Sequence, residues 1–230
     1  MDEPENPFLK AFGDPEFVAQ YQDGPPRFMP GFHDVHRMAN VLLAERVPQT
    51  ARLLVLGAGG GLELKAMAES KAGWTFEGVD PAPEMLKLAR NSLGVAANRV
   101  HFVEGYIEDA TEGPFDGAVC LLTLHFLDRA GREQAAREIR RRLKAGAPFV
   151  VAHSSFSQSP DLRSMWLDRY EAFAVESGVD PAIARQARDG VEKVPLMTPE
   201  EDEAVLRSAG FSNVELFYAA FTWRGWVAYA

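Results

Sequence analysis

The chain has 230 residues, 47% of them hydrophobic and 25% charged, with a formal net charge of −9 at pH 7. That size and mixture fit one globular domain with a substantial core, and the acidic balance disfavours broad contact with nucleic-acid phosphates. No apolar run approaches the roughly 20 residues needed to cross a bilayer, no basic-then-apolar signal segment opens the chain, and the single cysteine, Cys120, cannot form an internal disulfide; the expected location is cytoplasmic.

After a polar start, Met1 to Asn6, residues 7–50 read as helices and turns broken at Pro25-Pro26 and Pro30-Gly31. Met38, Val41, Leu42 and Leu43 form an apolar stripe at helical spacing. The period then changes: 52–56 is a short apolar run ending in glycines, as a buried parallel strand is. A helix over 62–70, a strand over 75–80, a helix over 83–92, strands over 100–104 and 117–122, a long amphipathic helix over 128–143 and a strand over 148–152 follow. This alternation predicts an α/β, doubly wound, mostly parallel sheet with helices on both faces, which binds ligands at the carboxyl ends of its strands. Residues 155–195 read as a helical insertion that helps cover the site. Thr198-Pro199-Glu200-Glu201 carries a capping threonine, a first-turn proline and dipole-favoured acids, so a helix starts there, and it ends at Gly210. The stretch 214–229 reads as two final antiparallel strands with a turn near Arg224-Gly225. The predicted plan is a single domain over 1–230: a helical lid (7–50), a cofactor-binding core (51–153), a helical insertion (154–197) and a C-terminal helix and strands (198–230). Cys120 lies in an apolar run and reads as a small core hydrophobe. Arg137, Arg140, Arg141, Arg142 and Lys144 read as the solvated face of a helix rather than a nucleic-acid surface.

The central signal is Val55-Leu56-Gly57-Ala58-Gly59-Gly60-Gly61-Leu62-Glu63. Glycines let the backbone approach a ligand and take positive φ, and the helix behind the loop offers free N–H groups. The dinucleotide spacing G-x-G-x-x-G requires a glycine at position 62, which is Leu62; the spacing here is G-x-G-x-G. A tight strand-to-helix turn would use the same run. Asp80 ends the second strand, where a carboxylate can accept both hydroxyls of a ribose or cap a helix.

The glycine loop, Gly78-Val79-Asp80-Pro81-Ala82-Pro83-Glu84-Met85-Leu86, Phe102-Val103-Glu104-Gly105 and Leu143-Lys144-Ala145-Gly146-Ala147 resemble, in order and spacing, four elements of the class I S-adenosylmethionine-dependent methyltransferases. That resemblance implies a Rossmann-like methyltransferase fold, a seven-stranded sheet with an antiparallel C-terminal strand, and S-adenosylmethionine as cofactor. Longer stretches resemble one branch, the carboxy-S-adenosyl-L-methionine synthases, which make a carboxylated form of the cofactor used in transfer RNA modification: Met29-Pro30-Gly31-Phe32, Leu43-Ala44-Glu45-Arg46, Thr123-Leu124-His125-Phe126-Leu127-Asp128, and Ala209-Gly210-Phe211 with the aromatic tail. This resemblance runs from about residue 15 to the C-terminus. It implies a homodimer and cofactor contacts at Phe32, Gly57, Ala58, Gly59, Gly61, Asp80, Pro81, Tyr106, Ile107 and Leu121. It also implies Arg188, in Ala187-Arg188-Asp189-Gly190-Val191-Glu192, as the arginine that reaches the extra carboxylate.

Four positions depart from the pattern: Phe32 stands for a tyrosine, Leu121 for an asparagine, Val55 for the acid of the first strand and Tyr106 for an aspartate. Each loss removes a hydrogen bond worth about 0.5–1.5 kcal/mol. Glu63 reads either as a replacement for the missing acid near the methionine amino group or as an ordinary first-turn acid.

Transfer from a sulfonium needs alignment and exclusion of water more than covalent help. His125, after the fourth strand, is the candidate general base or a plain pocket wall; Arg188 is a carboxylate binder or a surface helix residue. His33 and His36 form a His-x-x-His pair with no Cys partner nearby, and no metal is expected. Trp166, Tyr170, Phe221 and Trp223 are site walls or core. Three functional readings follow: a methyltransferase acting on a small molecule, which leads; a carboxy-S-adenosyl-L-methionine synthase; and a cofactor-binding protein without transfer activity.

Overall fold

The computed structural model describes residues 12–230, so the polar start and the first residues of the predicted lid lie outside the described residues. The N-terminal part is a run of short helices, α1 (Pro15–Gln20), α2 (Pro25–Phe28) and α3 (Phe32–Ala44), with a 3-10 turn at Tyr21–Asp23. The alternating part follows: β1 (Arg52–Leu56), α4 (Leu62–Ser70), β2 (Thr75–Asp80), α5 (Pro83–Leu93), β3 (Val100–Glu104), β4 (Gly117–Leu121), α6 (Arg129–Arg141) and β5 (Pro148–Ser154). The insertion is a helical pair, α7 (Pro160–Glu176) and α8 (Pro181–Glu192), and the chain closes with α9 (Pro199–Ser208), β6 (Ser212–Ala220) and β7 (Trp223–Tyr229). Among the described residues no helix is long and apolar enough to cross a membrane.

The seven strands form one sheet in the order β3-β2-β1-β4-β5-β7-β6. β1 to β5 are parallel, and β7 runs antiparallel to both β5 and β6. The chain winds outward from β1 in one direction and then from β4 in the other. The connections after β1 and β4 therefore diverge and leave a crevice between their carboxyl ends. Leu53, Leu54 and Val55 of β1 are fully buried, which is why this strand reads as an unbroken apolar run rather than an alternating one. One core layer packs α3, α4 and α5 on the sheet around Leu43, Leu64, Trp74 and Leu86. The other packs α6 and α9 around Ile139, Leu206, Phe149 and Trp226.

The N-terminal helices are fastened to the C-terminal hairpin. Trp223 Nε1–H donates to Phe28 O at 3.0 Å, and the Tyr218 hydroxyl donates to Pro30 O. The α7–α8 pair reaches the same place, with Tyr170 stacked on Phe28 at 5.4 Å between centroids.

Three sequence expectations need correction. The final turn lies at Phe221-Thr222, where Phe221 has φ +48°; Arg224 and Gly225 are inside β7, opposite His153 and Ala152. Gly225 is there for packing, since a Cβ would come within 2.9 Å of Phe217 Cζ. β5 continues to Ser154 because β7 pairs with it along its full length. Arg142 is not on a solvated face: it is 1% exposed and donates to Glu108 O and Glu138 O near the end of α6. Its neighbours Arg137, Arg141 and Lys144 are matched to Glu133, Glu112, Glu138 and Asp116, so the basic run is largely neutralised within the chain.

His36, on the buried face of α3, stacks edge-on against Phe32 at 4.5 Å. Burial, with His33 adding to it, lowers its pKa to about 4. The unfolded chain takes up this proton near pH 6.5 and the folded chain does not, so stability falls by about 1.4 kcal/mol per pH unit from 6.5 down towards 4. In urea unfolding, His36→Leu is expected to lose about 2 kcal/mol less than the wild type between pH 6.5 and pH 5; equal losses would contradict this assignment.

Candidate cofactor and active site

The loop between β1 and α4 is stitched to the end of β2. Gly57 and Ala58 N–H both donate to Val79 O, at 2.9 and 3.0 Å. Gly59 N–H then donates to Asp80 Oδ2 at 2.9 Å, and Ala82 N–H donates to Asp80 Oδ1 at 2.9 Å. One carboxylate thus bridges the loops after β1 and β2, and each oxygen keeps a lone pair for a further donor. Burial raises the Asp80 carboxyl above its ordinary range against these two N–H groups, which lower it. Gly105 N–H donates to Asp80 O at 3.1 Å, so the loop after β3 joins the same assembly.

The glycines serve different ends. A Cβ at Gly57 would lie 1.9 Å from Thr123 Oγ1, so the β4 loop fills the space a side chain would need. At Gly59, with φ +42°, the nearest atom to such a Cβ is 3.5 Å away. There the positive φ, rather than crowding, favours glycine beside Asp80. Tyr21 lies over the loop, its Cδ1 2.9 Å from where a Gly60 Cβ would stand. Its hydroxyl pKa is raised by burial and by Glu63 and Asp80.

Glu63, in the first turn of α4, is 8% exposed, and its Oε1 has no hydrogen-bond partner among the described residues. Burial drives its pKa up to about 8; its own backbone N–H opposes the rise and Asp80 adds to it. The Cys120 thiol on β4 is likewise pushed up by burial and by Glu63.

Phe32, Ala58 and Leu121 are brought together in one buried apolar cluster. Pro81 sits between Asp80 and the Ala82 N–H that Asp80 holds. Ile107 is buried in the other core layer, while Tyr106 is 55% exposed and its N–H donates to Asp109 Oδ2 at 2.8 Å. Leu122, just past β4, holds the left-handed conformation with φ +58°, a strained position of the kind that collects at functional sites.

His125 lies in a 3-10 turn (Leu124–Phe126) after β4, buried, with Nδ1 unpartnered among the described residues. Its ring meets Phe126 at 4.2 Å and Trp223 at 5.9 Å. Burial, then His153 and Arg132, lower its pKa well below the usual histidine value, so the ring is neutral at pH 7. Behind it Arg132, fully buried, pairs with Asp202 at 2.5 Å and donates to Leu127 O and Pro195 O. His153 Nε2 lies 3.2 Å from Asp202 Oδ1. Burial would raise the Asp202 carboxyl, but His153 and Arg132 outweigh it and bring the pKa down to about 2. This network fastens the His125 turn to the end of the insertion and to α9.

Arg188 faces four carboxylates of its own helical pair: Asp168 at 3.2 Å, Glu192 at 3.4 Å, Asp189 at 3.5 Å and Glu171 at 3.7 Å. None of these belongs to the glycine-loop assembly. Tyr170 and Trp223 are buried, whereas Phe221 is exposed beside Phe173 and Trp166 carries Arg169 over its ring. Sequence reasoning missed Tyr21, Thr123, Arg132, His153 and Asp202, because each acts on a partner distant in the chain. Asp202 carried only the generic signal of an acid in a helix's first turn.

Residues 53–146 match the family described as "Methyltransferase domain". The chain is similar to the carboxy-S-adenosyl-L-methionine synthase of Campylobacter fetus, 25% identical over 218 residues that cover 92% of each chain. It is similar to that of Methylococcus capsulatus at 26% identity, covering 96% of this chain and 94% of the other. Among solved structures it resembles human N-acetylserotonin methyltransferase in complex with S-adenosylmethionine, with a TM-score of 0.65 and 15% identity over 99% of this chain; it spans only 60% of that longer chain. The sheet order and these matches define the class: this is a class I S-adenosylmethionine-dependent methyltransferase fold. In sequence, the similarity to the carboxy-S-adenosyl-L-methionine synthases extends almost end to end.

The residues fit such a cofactor. Gly59 has the positive φ that a tight loop against a ligand uses, each Asp80 oxygen keeps a lone pair for a further donor, and Glu63 Oε1 is buried without a partner among the described residues.

The buried pair behind His125 sets a stability test. Asp202→Ala leaves the Arg132 charge uncompensated and is expected to cost about 3–5 kcal/mol, while the double variant Arg132→Met, Asp202→Leu recovers most of it. Urea unfolding measures both; a loss below about 1 kcal/mol for Asp202→Ala would contradict this role.

Proposed function

We propose that this protein binds S-adenosylmethionine at the 57–61 loop and acts on the cofactor itself, as a carboxy-S-adenosyl-L-methionine synthase. The observation that carries this reading is the reach of the similarity. It covers 92% of both chains, and so takes in the N-terminal helices, the α7–α8 insertion and the final hairpin, which lie outside the 53–146 domain match.

When bound, the cofactor would supply a methyl group on a sulfonium, which acidifies its C–H bonds for carboxylation in this reading and activates its C–S bond for transfer in the second. The chain's own residues would bind, orient and exclude water. Asp80 accepts from the ribose hydroxyls with its remaining lone pairs, and the Gly59 backbone lies against the adenosine. Phe32 and Leu121 offer an apolar wall where hydrogen-bonding side chains would also draw in water.

A second reading, methyl transfer to a small acceptor, is favoured by one observation: Arg188 is already matched by four carboxylates, so it is not free for an added carboxylate unless those pairs open. In that reading the neutral His125, with its unpartnered Nδ1, takes a proton from the acceptor.

Calorimetry with S-adenosylmethionine, its demethylated product and the carboxylated form tests cofactor binding. We expect at least one to bind, with affinity reduced at least tenfold in Asp80→Ala, a loss of about 1.4 kcal/mol or more. Incubation with S-adenosylmethionine and prephenate, followed by mass spectrometry, then separates the readings. Carboxylated cofactor supports the synthase; its absence at high enzyme concentration turns the assignment to methyl transfer.

A further inference from the structure

Glu63 is a costly residue where it stands. Its side chain is buried in the first turn of α4, and one carboxylate oxygen has no hydrogen-bond partner among the described residues. A buried acceptor left unpaired destabilises the fold. The helix does not need it: Gly61 begins α4 without any side-chain cap, and a glutamine would fill the same space without a charge. A first-turn acid is ordinarily stabilised by the helix dipole, yet burial here outweighs that benefit and favours the neutral acid.

The groups that act on Glu63 come from three directions. Tyr21 lies over the glycine loop, Asp80 ends β2, and Cys120 lies on β4. None is a cation. Among the described residues the groups that act on it are thus an acid, a phenol and a thiol, and its Oε1 is left without a partner. Val55, next to last in β1, offers no acid and is wholly buried in the core. A cationic group on a bound ligand would supply the partner that Oε1 lacks among the described residues.

We propose that Glu63 is the receptor for the α-ammonium group on the amino-acid tail of the bound cofactor, and that it gives up a proton when that group arrives. This rests on the cofactor reading above. In the free protein the carboxyl is held largely neutral at pH 7, with Asp80, Tyr21 and Cys120 offering no compensation. The arriving ammonium stabilises the carboxylate, the proton passes to solvent, and an ion pair forms in a water-poor site. Cofactor affinity then rises with pH through the neutral range until the free carboxyl is itself ionised.

The test is calorimetry of the full chain near pH 7 in buffers of different ionisation enthalpy, which counts protons released on binding. Two ligands are compared: S-adenosylmethionine, and 5′-methylthioadenosine, which has the adenosine and sulfur but no amino-acid tail. For the wild type we expect most of one proton to be released with S-adenosylmethionine and none with 5′-methylthioadenosine. Glu63→Gln is expected to abolish the release and weaken S-adenosylmethionine at least tenfold while leaving 5′-methylthioadenosine within twofold. Its thermal midpoint at pH 8 is expected to equal or exceed that of the wild type, which shows that the variant is folded. Equal weakening of both ligands, or wild-type binding of S-adenosylmethionine without proton release, overturns the proposal. Binding of neither ligand by the wild type overturns the cofactor reading itself, and this proposal with it.

Discussion

The Asp80 carboxylate is the interaction on which the site depends. It accepts from Gly59 N–H after β1 and from Ala82 N–H after β2, while its backbone carbonyl takes Gly105 N–H after β3. Three loops from three adjacent strands are thereby fixed to one residue at the carboxyl end of β2, one strand away from the point where strand order reverses. Backbone donors satisfy a buried carboxylate without adding a second charge, so the group stays able to accept more hydrogen bonds. Gly57 packs on Thr123 and brings the β4 loop to the same centre. The sheet, the helices and the N-terminal segment position this carboxylate and the space around it.

Two kinds of buried charge surround that centre, and the contrast between them is informative. Arg132 and Asp202 form an ion pair whose charges compensate one another, with His153 Nε2 3.2 Å from Asp202 Oδ1. Their role is mechanical: they hold the His125 turn, the end of the insertion and α9 in fixed relation. Glu63 is open, since its neighbours add repulsion rather than compensation. A compensated network is what a scaffold keeps for its own stability, whereas an uncompensated group is held in place by the scaffold for something that binds. Arg188, matched by carboxylates of α7 and α8, falls with the first kind in this conformation.

Much of the architecture was legible in the sequence because it is written in local pattern. The unbroken apolar run of β1, the glycine spacing after it and the acid at the end of β2 each carry their meaning within a few residues. The capping signal at Thr198 is equally local, and the structure closes it into a reciprocal pair with Glu201. What stayed hidden depends on partners far apart in the chain. Arg132 meets Asp202 across 70 residues, Tyr21 lies over Gly60, and Arg142 turns inward to carbonyls before β4. The final turn was misplaced for a related reason. Gly225 reads as a turn residue, but it is a glycine in a strand, where Phe217 crosses the backbone. His125 follows β4 as its place in the sequence indicates, but its low pKa comes from burial first and then from His153 and Arg132, which no local pattern pointed to.

The most direct measurement of the central claim is an NMR titration of backbone amides with S-adenosylmethionine. Saturable shifts are expected at Gly59 and Ala82, whose amides hold the Asp80 carboxylate, and at Gly105, which bonds its carbonyl, with little change in the α9 capping turn at Thr198–Glu201. Saturable shifts confined to another part of the molecule, or no shifts at Gly59 and Ala82 under saturating cofactor, would contradict it.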